Sequence, residues 1–101
     1  MAWFATAEKD PDAKLDYGID WEPWPFAEGD TITTSSWEVF EANGITPTVD
    51  MTVESDSKTA TTTTVWLSGG THATKYVATN HIVTAQGRED DRSILIKCKE
   101  R

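Results

Sequence analysis

The chain is poor in the residues that usually carry chemistry. It has one cysteine and two histidines. A lone Cys98 cannot close an internal disulfide, so no such staple supports the fold. Cys98 shares the parity of Ile94 and Ile96 and reads as a small buried hydrophobe rather than a reactive thiol. His72 and His81 have no Cys or His neighbour at metal-ligand spacing, and both read as surface histidines. No apolar run approaches the roughly 18–20 residues of a membrane-spanning helix, and no charged–apolar–small leader pattern opens the chain. The expectation is a protein made in a cytoplasm and not inserted into a membrane. Basic residues are scarce as well: 9 Lys and Arg against 17 Asp and Glu leave a net charge of −8. Phosphate backbones are held by clustered Lys and Arg, so nucleic acid is not an expected partner. Helical periodicity is missing too, with no 3–4 spacing of apolar residues held over about ten positions.

What is present is alternation. At 101 residues the chain is one domain with one modest core. Leu15, Tyr17, Ile19 and Trp21 alternate with Lys14, Asp16, Gly18 and Asp20, the mark of a half-buried strand. A second strand is expected from Thr31 to Phe40. There Ile32 and Thr34 share one parity and Trp37 and Val39 the other, so a bulge near Ser35-Ser36 is expected to bring all four to one face. After the Asn43-Gly44 turn, Val49, Met51 and Val53 predict a third strand, and residues 54–58 a charged loop. Residues 59–67 form a threonine-rich strand with Val65 and Leu67 inward and Trp66 outward. In the next, residues 75–85, Tyr76, Ala78, Asn80 and Ile82 share one face. Val77, Thr79, His81 and Val83 share the other, which is also partly apolar, as in a strand central to its sheet. The last, residues 92–99, turns Ile94, Ile96 and Cys98 inward. These final three are expected to form a meander, joined by hairpin turns at Ser68-Gly69-Gly70-Thr71 and Gln86-Gly87-Arg88. Six or seven short strands between turn signals predict an all-β sandwich or barrel. The sandwich is favoured because Tyr76 opens the penultimate strand, where its hydroxyl would bond upstream backbone as in the tyrosine corner of immunoglobulin-like folds. The expected fold is therefore an immunoglobulin-like β-sandwich of six to seven antiparallel strands over residues 13–101, preceded by an N-terminal arm or linker over residues 1–12.

Little chemistry can be placed on this frame. Ser68-Gly69-Gly70-Thr71 lacks the Gly-Lys-Ser/Thr and the helix of a phosphate loop. Glu89, Asp90 and Asp91 offer oxygen ligands to a hard cation, but Arg88 and Arg92 flank them and local ion pairs are the expected outcome. Asn80, inward on a strand, requires hydrogen-bond partners inside the core. No nucleophile–base pair or carboxylate dyad can be assigned, so no enzyme activity, catalytic residue, metal or cofactor is expected. Trp21-Glu22-Pro23-Trp24-Pro25-Phe26 reads as a stiff loop capping the core, or else as an exposed aromatic strip. The candidate protein-interface residues are Trp66, turned outward by alternation, and Trp3 and Phe4 on the arm. Charge is uneven: residues 1–58 hold 13 acidic and 3 basic side chains, residues 59–101 hold 4 and 6. Such a split suits a solvated surface, or a module that docks in one orientation, and it puts Trp66 in the slightly basic half.

Several segments resemble a known family. They are Lys9-Asp10-Pro11-Asp12-Ala13 with Leu15-Asp16-Tyr17 and Asp20-Trp21; Gly29-Asp30-Thr31-Ile32; Val65-Trp66-Leu67-Ser68-Gly69-Gly70-Thr71; Tyr76; and Gly87-Arg88-Glu89-Asp90-Asp91-Arg92-Ser93. Together they resemble small proteins from tailed-phage and prophage structural gene clusters, most often assigned as fibre-to-tail adaptors. The resemblance implies an immunoglobulin-like sandwich and a structural role in the virion. It implies partners among other virion proteins (tail, fibre or head–tail components), and it supplies no catalytic residue. The alternative is a free-standing module that binds carbohydrate or a host surface, which needs aromatic faces exposed together in a groove. The sequence sets no oligomeric state.

Overall fold

A computed structural model describes residues 5–10, 13–21, 29–43 and 45–99. Among them run β1 (Ala5–Lys9), β2 (Leu15–Asp20), β3 (Ile32–Glu41), β4 (Met51–Lys58), β5 (Thr62–Gly69), β6 (Lys75–Thr84) and β7 (Glu89–Cys98), and no helix. The strands form a four-stranded sheet in the order β1-β7-β6-β3 and a three-stranded sheet in the order β2-β5-β4. All neighbours are antiparallel except β1 and β7, which run parallel. The two sheets face each other as an immunoglobulin-like sandwich, as the alternation predicts.

The core lies between the sheets. Ile19, Trp21, Met51, Val65 and Leu67 come from the three-stranded side, and Ile32, Val39, Tyr76, Ala78, Ile82, Ile94, Ile96 and Cys98 from the four-stranded side. Each fully buried aliphatic side chain here is worth about 1.5–3 kcal/mol of hydrophobic stabilisation. The expected register holds in β5, where Val65 and Leu67 are buried and Trp66 is exposed, and in β6, where Tyr76, Ala78, Asn80 and Ile82 are all buried. β6 is an inner strand of its sheet, which accounts for its second apolar face.

Buried Asn80 joins the two layers. Its Oδ1 accepts the indole N–H of Trp21 (3.0 Å) and the hydroxyl of Thr63 (2.7 Å) from the opposite sheet. Its Nδ2 donates to Ser35 Oγ (2.9 Å) and the Ser36 carbonyl (3.0 Å) on β3. An amide side chain has two acceptor and two donor positions, so its capacity is filled. At one edge of the core, buried Asp30 accepts the N–H groups of Thr31 and Gln86, both at 3.0 Å, and so ties the start of β3 to the β6–β7 hairpin. Burial alone would raise its pKa, but the hydrogen bonds it accepts outweigh that and hold it below the ordinary carboxylate value.

Several expectations are corrected. Residues 5–9, placed in an arm or linker, form β1, with Ala5 opposite Ile94 and Lys9 opposite Cys98. The pattern was hidden because Lys9 occupies a core position. It is fully buried, and its ammonium donates to the carbonyls of Asp10 (3.0 Å) and Gly69 (2.7 Å). The β3 bulge falls between Ile32 and Thr34, not near Ser35-Ser36. Ser35, Trp37 and Val39 therefore turn toward the core side, and Thr34 is exposed. Residues 54–58, expected as a loop, continue β4 past a second bulge between Val53 and Ser55, and Val49 is exposed. Trp3, Phe4 and the loop beyond Trp21 lie outside the described residues.

The meander is also corrected: β5 and β6 belong to different sheets. Residues 68–71 are a crossover between sheets, not a hairpin turn. Only the second turn, through Gly87, closes a hairpin. The crossover is folded tightly against the end of the core. Gly69 and Gly70 both have positive φ (80° and 104°), and the Gly70 N–H donates to the Asp50 carbonyl at 2.8 Å. Tyr76, directly beneath, accepts the Thr71 N–H (2.9 Å) and donates to Asp50 Oδ2 (3.3 Å). This is the tyrosine corner that the position of Tyr76 predicts.

Two substitutions test this account by urea unfolding. Asn80→Ala strands the Thr63 hydroxyl, removes the shorter of the two bonds from the Trp21 indole (its 3.3 Å bond to Thr63 Oγ1 remains) and leaves a void, so it should cost about 2–4 kcal/mol. For a domain of this size that lowers Tm by about 10–20 °C; a loss below about 1 kcal/mol would show that the network is dispensable. Gly70→Ala drives a Cβ into the Cys98 sulfur and to 3.1 Å from Met51 Cε, at a φ that L-residues resist. It should cost about 2 kcal/mol or more. Adding Cys98→Ala should recover only part of that, because the backbone strain remains.

Candidate functional site

Two outward faces remain once the core is assigned. On the three-stranded sheet, β5 is the middle strand and Trp66 stands on its outer side, 40% exposed. Its cross-strand partners are Asp16 on β2 and Ser55 on β4. Gly18 and Thr64, one pair further along, and Ser57 beyond them are small. They leave the indole standing above a shallow shelf. At the other end Ser68 donates to Glu54 Oε2 (2.6 Å), and Lys14 lies 3.9 Å from the same carboxylate. The sequence split put Trp66 in the basic half of the chain. In the fold β2 and β4, both from the acidic half, flank it, so its surroundings carry Asp16 and Glu54 instead.

On the four-stranded sheet the outer side is hollowed between β3 and β6–β7. The hollow, about 500 Å³, is lined by Ser36, Trp37, Glu38, Phe40, Thr79, His81 and Asp91. His81 sits opposite Asp91 in the β6–β7 ladder. Asp91 Oδ1 contacts its Nδ1, and Glu89 Oε1 lies 3.0 Å from its Nε2. Thr79 and Ser93 hydroxyls bond each other at 2.9 Å beside it. The buried Trp37 Nε1 has no acceptor.

A neutral imidazole has one N–H, so one of its two carboxylates must face a lone pair; the imidazolium satisfies both. The hydrogen bond to Asp91, outweighing partial burial, therefore raises the His81 pKa above its ordinary 6.5, with Glu89 adding to the effect. Both ring nitrogens are occupied, which leaves no nitrogen to accept a nucleophile's proton. The sequence pairs Glu89 and Asp91 with the flanking arginines. In the fold they pair with His81, while Arg92 lies 4.4 Å from the centre of the Trp21 ring. The pairing was missed because it crosses the hairpin: His81 and Asp91 share a ladder rung, which only the hairpin register reveals.

The remaining candidates stay apart from both faces. His72 is exposed in the crossover, and Cys98 is buried with its thiol pKa pushed up by that burial. Among the described residues no group of three or more His, Cys, Asp or Glu is disposed to hold a metal ion.

The His81 cluster gives a signed pH prediction. A folded-state pKa above the unfolded one adds stability that is complete below the unfolded value and is lost as pH rises through the folded value. The His81 side chain is 41% exposed, so screening keeps the contribution under about 1 kcal/mol. His81→Gln should flatten the stability profile from pH 6.5 upward, read by urea midpoints across pH. An unchanged slope would show that the two carboxylates do not hold the proton.

No curated protein matches the chain closely enough to count as a relative. The family model described as "Podophage GP4 fiber-tail adaptor protein gp77" matches residues 9–97. That span takes in β2 to β6 entire, the last residue of β1 and nearly all of β7. With two outward faces, a filled core and a match over most of its length, the chain belongs to the podophage GP4 fiber-tail adaptor family.

Proposed function

We propose that this protein is a non-enzymatic joint of a phage tail, made in the host bacterium and carried in the virion, which docks between larger tail and fibre components by protein–protein contacts. Family membership over residues 9–97 is the observation that carries the reading. The Trp66 face supplies a surface for it. An aromatic at the middle of a sheet face, with Gly18, Ser55, Ser57 and Thr64 on one side and the Asp16 carboxylate across from it, has the form of an interface anchor, and such anchors contribute about 2 kcal/mol or more to binding. The carbohydrate-binding alternative asks for several aromatic faces together. Among the described residues Trp66 is the one exposed aromatic, and a single indole supports an anchor rather than a sugar-binding groove.

Trp66→Ala separates docking from packing. As an anchor, its loss should leave the melting temperature within a few degrees, as for other surface changes of about 0.5 kcal/mol. Incorporation into particles should fall at least about thirtyfold, the equivalent of 2 kcal/mol. Particles that take up the stably folded variant normally would eliminate Trp66 as the anchor. Early melting would mean that the indole serves the fold.

A further inference from the structure

The hollow on the outer side of the four-stranded sheet is distinct from the Trp66 face, and the adaptor reading makes no use of it. We infer that this hollow is a socket for an arginine side chain of a neighbouring protein. Glu38 on β3 and Asp91 on β7 stand on either side of β6. Two strand spacings and a two-residue offset along the strands put their backbones about 12 Å apart, with Thr79 and His81 on the floor between them. A guanidinium presents five N–H donors in one plane and bridges carboxylates on two walls; an ammonium, with its compact charge, does not span them as well. Phe40, half-buried in the lining and opposite outward-facing Val77, offers ring surface on which a planar cation stacks. An anion would meet Glu38, Glu89 and Asp91, and an apolar guest would strip water from carboxylates without pairing them. The net charge of −8 draws the same class of partner.

Occupancy is coupled to His81. Its proton is the cation that serves Asp91 and Glu89 in the empty hollow, and an incoming guanidinium competes with it. The titratable groups facing His81 are Glu38 from β3 and Asp91 and Glu89 from β7. Its own strand presents Thr79 and Val83 on that side, and Lys75 and Lys97 stand opposite each other at the far end of the β6–β7 ladder. Binding therefore tightens as pH rises through the His81 titration, and by reciprocity the guest lowers the pKa of His81.

The probe is the peptide acetyl-Gly-Arg-Gly-amide, titrated into the isotope-labelled full chain. The neutral, isosteric citrulline peptide serves as control. The expected result is a set of resonance shifts confined to Glu38, Phe40, Thr79, His81 and Asp91. Affinity should be about two- to fivefold tighter at pH 8 than at pH 6. It should weaken by a similar factor in Glu38→Gln and in Asp91→Asn, both changes of exposed side chains. The His81 titration midpoint should move down in the presence of the arginine peptide and stay fixed with the citrulline peptide. Equal shifts from both peptides, shifts centred on Trp66, or an affinity indifferent to pH and to Glu38→Gln would each overturn the assignment. None of these outcomes depends on entry into particles, so the socket and the adaptor role stand or fall separately.

Discussion

The sandwich depends on one side chain whose hydrogen bonds run to both layers. Asn80 is the point where β6, β3, β5 and the end of β2 are held in a common register. Antibody domains pin their two sheets through a disulfide; this chain has a single cysteine. A filled amide network among buried side chains supplies the equivalent constraint. Its bonds are strengthened by the low dielectric around them, and the cost of leaving any one unmade is high. Trp21 is held through its indole N–H and covered by the Arg92 guanidinium, so its orientation follows from the same network. The arrangement also makes the fold indifferent to redox conditions.

From that centre, the two outer faces take on different chemistry. The three-stranded sheet turns outward mostly small residues around a single indole. The four-stranded sheet turns outward carboxylates, a doubly contacted imidazole and a hollow. The difference follows from topology. Each outer face is assembled from strands distant in sequence, so the acidic first half of the chain contributes to both. β2 and β4 bring acids beside Trp66, and β3 brings Glu38 to the same hollow as Asp91, two residues along from it across β6. The charge split along the sequence therefore does not become a split between one side of the molecule and the other.

How much of this was legible depended on whether the deciding interaction was local. Strict alternation made the facing of β5 and β6 readable, because a one-residue slip would have exposed Val65, Leu67 and Ile82. The bounds were less so, with β5 starting at Thr62 rather than 59, and in β2 Leu15, expected on the half-buried face, is exposed at the strand's start. Tyr76 announced its corner because the motif ties it to backbone only five residues upstream. The failures share a different cause. The β3 bulge moved because a break in parity at Ile32–Trp37 is compatible with an extra residue at any of several sites. β1 was hidden by a buried lysine satisfied by backbone carbonyls sixty positions away and next door. The glycine pair at 69–70 looks alike in a hairpin and in a crossover; the choice is made by Asp50, Met51 and Cys98, which no local window contains. Trp66 as an outward aromatic was visible, while the His81 hollow required knowing which residues face one another across two ladders.

The parallel pairing of β1 with β7 has a mechanical consequence. Tension applied between the segment before β1 and the segment after β7 runs along the two strands in opposite directions. It loads the rungs from Ala5–Ile94 to Lys9–Cys98 side by side. Hydrogen bonds pulled in this way share the force and must yield together, whereas an antiparallel hairpin pulled from its open end parts one rung at a time. A short strand that adds little area to the sheet thus sets how the molecule would respond to being stretched.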